Sequence, residues 1–106
     1  MSDRIQRVLD AMQASGLTQF LVADPHSIAY LTGIKIDPGE RLFALLLRTD
    51  GEHRFFINRL FPLPTTQIPI SDFSDTDDSI GLISTYVEGG VLLGIDKIWP
   101  ARFLLP

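Results

Sequence analysis

The run Phe20-Leu21-Val22-Ala23-Asp24-Pro25-His26-Ser27-Ile28-Ala29-Tyr30-Leu31-Thr32-Gly33 decides the fold. Residues 20–23 are apolar on both faces of a strand, the pattern of a sheet covered on both sides. Asp24 is placed to cap a helix, because its carboxylate can accept a backbone N–H that the first turn leaves unpaired. Pro25 then takes the first helical position, where its missing N–H costs nothing. Gly33 supplies the left-handed residue that stops the helix.

Upstream, Ile5, Val8, Leu9 and Met12 recur at i, i+3, i+4 and i+7, which predicts an amphipathic helix over 3–15. Asp3 is its expected N-cap, with Gln6 completing a capping box. Gly16 ends the helix, and Leu17 is placed to fold back onto the last turn.

Downstream, 42–48 and 54–58 read as two strands around Thr49-Asp50-Gly51-Glu52, a hairpin whose Asp-Gly pair favours positive φ. Residues 59–66 carry prolines and no period, so they read as loop. A short strand follows at 67–71, pushed to a sheet edge because Pro69 lacks a ladder N–H. Residues 74–78 open a third helix, carried by Ile80, Ile83 and Val87, weakened by Gly81 and broken at Gly89-Gly90. A buried strand at 91–96 and a last helix from Trp99-Pro100 complete the chain. Helices alternating with strands around one hairpin predict an α/β fold. It is a three-layer αβα domain with a mixed five- or six-stranded sheet and helices on both faces.

The 106 residues suit one domain spanning 1–106, and an apolar share of 45% is enough for one core. The net charge is −4 with no basic run, which argues against nucleic-acid binding. No apolar run approaches the roughly 20 residues of a membrane span, and because Met1-Ser2-Asp3-Arg4 leads straight into the amphipathic pattern, a signal peptide is not expected. With no cysteine, the chain fits a reducing compartment, and the cytoplasm is the expected location. The apolar end Leu104-Leu105-Pro106, just after a helix start, implies a piece of a longer protein.

Residue chemistry singles out no catalytic or metal site. The two histidines, His26 and His53, lack metal-ligand spacing, and both read as structural or solvated, with His53 exposed beside the hairpin turn. Asp75, Asp77 and Asp78 resemble the start of a calcium loop, but the sixth and twelfth positions from Asp75 hold Ile80 and Tyr86 in place of Gly and Glu. Helix capping and the helix dipole account for them. There is no Gly-x-Ser-x-Gly elbow, and Gly89-Gly90 precedes a strand rather than a helix, so no phosphate loop forms. The remaining candidate is the polar loop 34–41, Ile34-Lys35-Ile36-Asp37-Pro38-Gly39-Glu40-Arg41, which mixes both charges with two isoleucines. Composition alone supports a plain connector there equally well.

The N-terminal helix, Phe20-Leu21-Val22, the run Asp24-Pro25-x-x-Ile28-x-Tyr30-Leu31-Thr32-Gly33 and the late Leu93-Gly94-Ile95-Asp96 resemble the N-terminal domain of the creatinase, prolidase and aminopeptidase P family. The Tyr-Leu-Thr-Gly run after Asp-Pro is the specific part, and the resemblance covers nearly the whole chain. It implies an α/β domain preceding a larger "pita-bread" catalytic domain that hydrolyses Xaa-Pro peptides. That domain holds two divalent metal ions, manganese, cobalt or zinc, through two Asp, one His and two Glu. None of those ligands carries over to this chain, so its own catalytic, metal and cofactor residues are expected to be none. The resemblance also implies a homodimer in which the loop after the Tyr-Leu-Thr-Gly helix reaches the partner's active site. By position Asp37, Glu40 and Arg41 are its substrate-facing candidates.

The expected function is therefore that of the N-terminal domain of a metal-dependent Xaa-Pro dipeptidase. Its partners are its own catalytic domain, a second copy and an Xaa-Pro peptide. The alternatives are a stand-alone interaction module of the same fold, or the N-terminal domain of a creatinase-like protein that is no peptidase.

Overall fold

The computed structural model describes residues 3–38, 41–74, 77–87 and 93–95. In chain order the elements are α1 (Asp3–Ala14), β1 (Gln19–Val22), α2 (Pro25–Thr32), β2 (Phe43–Arg48), β3 (Arg54–Asn58), β4 (Ile70–Phe73), α3 (Ser79–Tyr86) and β5 (Leu93–Ile95). Five strands form one sheet in the order β4-β3-β2-β1-β5. β1 and β3 both run antiparallel to β2, while β4 is parallel to β3 and β5 parallel to β1. The sheet is thus mixed, as expected.

Side-chain alternation along the central strands divides the core into two layers. Phe43, Leu45 and Leu47 of β2, Phe55 and Ile57 of β3 and Val22 of β1 pack with Ile5, Leu9 and Met12 of α1 and with Ile28 and Leu31 of α2. The intervening Ala44, Leu46, Phe56 and Leu21 face the other way and pack with Ile83 of α3. Both faces of β2 are buried, which is why its sequence shows no polar alternation.

The helix ends follow local chemistry. Leu17 N donates to Met12 O (2.8 Å) and Gly16 N to Gln13 O (3.2 Å), the paired bonds of a Schellman end. Asp3 is itself helical, and Gln6 Nε2 donates to Asp10 Oδ1 (3.0 Å), so the expected capping box gives way to an i,i+4 pair. Asp24 caps α2 as read: Oδ1 accepts from His26 N (3.1 Å) and Oδ2 from Ser27 Oγ (2.9 Å). Gly33 takes φ 77°, and its N–H closes the helix on Ala29 O. Asp24→Ala is expected to cost about 1 kcal/mol in chemical denaturation, the usual value of an N-cap. An unchanged midpoint would show that the cap adds nothing.

Several expectations shift. The third helix begins at Ser79, with Asp78 as N-cap accepting from Gly81 N (2.9 Å). Asp77 lies ahead of it, its Oδ2 accepting from Ser74 N (2.8 Å), and that backbone bond holds its carboxyl below the usual range. The fourth strand starts after Pro69 instead of spanning it, and it does lie at the sheet edge. In the hairpin turn only Gly51 has positive φ, at 87°, and Gly51 N donates to Arg48 O (3.0 Å). Asp50 keeps negative φ, so the turn is a tight turn plus one left-handed glycine rather than a pair of left-handed residues. Asp75 and the expected last helix from Trp99-Pro100 lie outside the described residues.

His53 is the largest departure. Expected to be exposed, it is only 3% exposed. Its Nδ1 accepts from Arg48 N (3.0 Å), closing the base of the hairpin turn. Gln19 is also buried, at the start of β1 opposite Arg48.

Candidate functional site

The loop after α2 is held in place more firmly than its polarity implied. Ile34 and Ile36 pack against the layer that holds α1 and α2, and Pro38 is buried. Lys35 and Asp37, between them, are exposed. This in-out alternation has the period of a strand, though no ladder forms here. The loop's start is tied down as well: Thr32 Oγ1 donates to Ile28 O (2.7 Å) and accepts from Ile34 N (3.2 Å). The apolar residues anchor the segment, and the two charged residues are the ones it presents.

Between this loop and the first turns of α2 lies an open cleft of about 660 Å³, lined by Pro25, His26, Ala29, Lys35, Ile36 and Asp37. Of the expected substrate-facing residues, Asp37 lines this cleft. Arg41 is exposed but does not line it; its backbone N–H closes a turn on Pro38 O (3.0 Å). Glu40 lies outside the described residues. Local reasoning passed over His26 and Lys35. Their meeting depends on the reversal at Gly33, which lays the loop beside the start of α2. The alternation Ile34-Lys35-Ile36-Asp37 was the available signal for Lys35.

The cleft offers an imidazole, an ammonium and a carboxylate in a solvent-accessible wall. Such a set can hold and orient charged ligand groups. Among the described residues no three His, Cys, Asp or Glu side chains come together to hold a metal ion. Asp50, His53 and Asp77, whose pKa values the fold lowers, do not line the cleft. Nor, among the described residues, is any helix long and apolar enough to cross a membrane.

Solved structures of a prolidase and of dipeptidases share this architecture. A recombinant prolidase from Thermococcus sibiricus is 26% identical, with a TM-score of 0.86 over 98% of this chain and 31% of its own. A proline dipeptidase structure from Streptococcus pneumoniae is 24% identical with a TM-score of 0.86, covering 98% of this chain and 81% of that one. A creatinase/prolidase N-terminal domain of an X-Pro dipeptidase from Streptococcus pyogenes, at 17% identity and a TM-score of 0.86, shares the fold. Among curated proteins, an uncharacterized peptidase of Staphylococcus aureus is 27% identical over 82 residues, or 77% of this chain. The chain spans only 22% of that relative's length. The model of the creatinase/prolidase N-terminal domain matches residues 4–103, and the chain belongs to that family.

Proposed function

We propose that the chain is the non-catalytic N-terminal domain of a metal-dependent Xaa-Pro dipeptidase, and that it works in a cytoplasmic homodimer. The observation that carries this reading is the family match over 4–103, joined to a 0.86 TM-score against a prolidase of which the chain spans 31%. In this reading the peptide bond is cleaved in a separate catalytic domain that holds two divalent ions, manganese foremost. The described residues gather no metal-binding set of their own.

What this domain contributes is derived from loop 34–41. A dipeptidase must exclude longer chains and read free termini. Asp37 is exposed between Ile36, which packs against the core, and buried Pro38, so the backbone that carries its charge is held in place and has little entropy left to lose on binding. Set against a partner's active site, that charge meets a substrate terminus, and Glu40 and Arg41, three and four residues on in the sequence, are the other candidates.

The test uses the whole protein. kcat/KM is measured for several Xaa-Pro dipeptides on D37A, E40A and R41A, with melting curves alongside. At least one variant is expected to change the ratios between substrates by about tenfold to a hundredfold, the equivalent of a lost charged contact. Stability should change little. Unchanged ratios in all three would return the loop to a connector. A whole protein that turns over no Xaa-Pro dipeptide with manganese would end the peptidase reading. The 106-residue chain alone is expected to hydrolyse none, with or without manganese, and turnover surviving repurification would refute that.

A further inference from the structure

We propose that His53 is an acid-sensitive latch that holds the β2–β3 hairpin closed and, through Arg48, ties it to the C-terminal end of α3. The geometry carries this. Nδ1 accepts the Arg48 backbone N–H at 3.0 Å, which places the neutral ring's proton on Nε2. Nε2 is buried and has no hydrogen-bond partner among the described residues. A second proton would therefore put an N–H on Nδ1 facing the Arg48 N–H, and a full charge where water is excluded. Two donors facing each other cannot bond, so the ring must leave its seat when it is protonated.

The surroundings decide where it goes. From the turn, the carboxylates of Asp50 and Glu52 both attract a protonated ring. Asp50 stays ionised, because Glu52 N donates to its Oδ1 (3.0 Å) and Arg48 lies beside it. From β2, Arg48 faces the ring with its backbone N–H. Its guanidinium is engaged by Asp50 Oδ2 (2.7 Å) and by Tyr86 O (3.1 Å) at the end of α3. From β3, the Arg54 guanidinium is held over the Tyr86 ring, 4.2 Å from its centroid, and donates to Ser71 Oγ (3.1 Å). Thr49, bonded to Thr18 O, brings no charge. A protonated ring thus swings toward Asp50 and Glu52 and competes for the carboxylate that holds Arg48. The hairpin and α3 loosen together.

The direction in pH follows. Burial pushes the imidazole below its ordinary 6.5, with Asp50 and Glu52 pulling partly the other way. For a group depressed in this way, the unfolded chain takes up protons first as pH falls. The latch is therefore fully closed above 6.5 and opens as pH drops through the folded protein's lower value.

The experiment is NMR on the full chain from pH 7.5 to 5. Imidazole nitrogen shifts at pH 7.5 should show an Nε2–H tautomer. As His53 titrates, the hydrogen-exchange protection factor of the Arg48 amide should fall about tenfold or more, and Tyr86 resonances should move with the same midpoint. The Leu45 amide, in the middle of the same strand, should stay protected. E52Q removes one attracting carboxylate from an exposed site and should move the midpoint to lower pH. An Nδ1–H tautomer at pH 7.5, or Arg48 protection that stays flat while His53 titrates, overturns the latch. So does a midpoint in E52Q that stays put or rises.

Discussion

Phe55→Ala is expected to remove about 3–5 kcal/mol of stability, the usual cost of emptying a buried phenylalanine site. Phe55 is 0% exposed in β3, and its ring stacks on Phe43 of β2 with centroids 6.3 Å apart and planes 6° from parallel. The two rings lie in the layer that receives α1 and α2. Strands on either side leave that layer little freedom to collapse into the cavity, which places the cost toward the upper end. Because domains of this size are stable by only about 5–15 kcal/mol, the variant should melt far below the parent or fail to fold at body temperature. Urea titration of both proteins, followed by circular dichroism, measures the difference. A loss under about 0.5 kcal/mol, typical of a surface site, would mean that the Phe43–Phe55 layer is not a packed core.

Leu21→Ala should cost about 2–5 kcal/mol from the opposite side of the sheet. Leu21 is 4% exposed and faces the α3 layer, in a strand paired with β2 on one side and β5 on the other. It shares no core cluster with Phe55. The two losses should therefore add to within about 0.5 kcal/mol, measured in milder background conditions or in a stabilised parent. Strong coupling would show that the layers are not mechanically separate. A near-neutral Leu21→Ala would show that α3 does not cover the sheet in solution.

Both predictions start from patterns that local sequence carries well. The unbroken apolar runs in β1 and β2 announce strands buried on both sides, and the structure supplies a helical layer on each face to bury them. The α2 signal Asp24-Pro25 … Gly33 is equally local. A carboxylate accepting the N–H two residues on, a proline with no N–H to lose and a glycine free to take φ 77° act within one short helix. The capping box at Asp3 misled because Asp3 is already inside the helix rather than capping it, and Gln6 donates instead to Asp10, one turn on.

The candidate site was half legible. That loop 34–41 mixes both charges is a matter of composition, and Asp37 does line a cleft. Which residues anchor the loop and which it presents depends on Ile34 and Ile36 packing against the core and on Pro38 being buried, and His26 joins only because the chain doubles back at Gly33. Sequence by itself determined the elements, because caps, turn glycines and apolar periods act over a few residues. The tertiary structure alone decided that β4 lies parallel to β3 and that His53 is buried. Nothing polar in Asp50-Gly51-Glu52-His53-Arg54 foretells a buried imidazole. The turn brings Nδ1 to the Arg48 N–H, a bond that spans five residues and exists only once the two strands are in register.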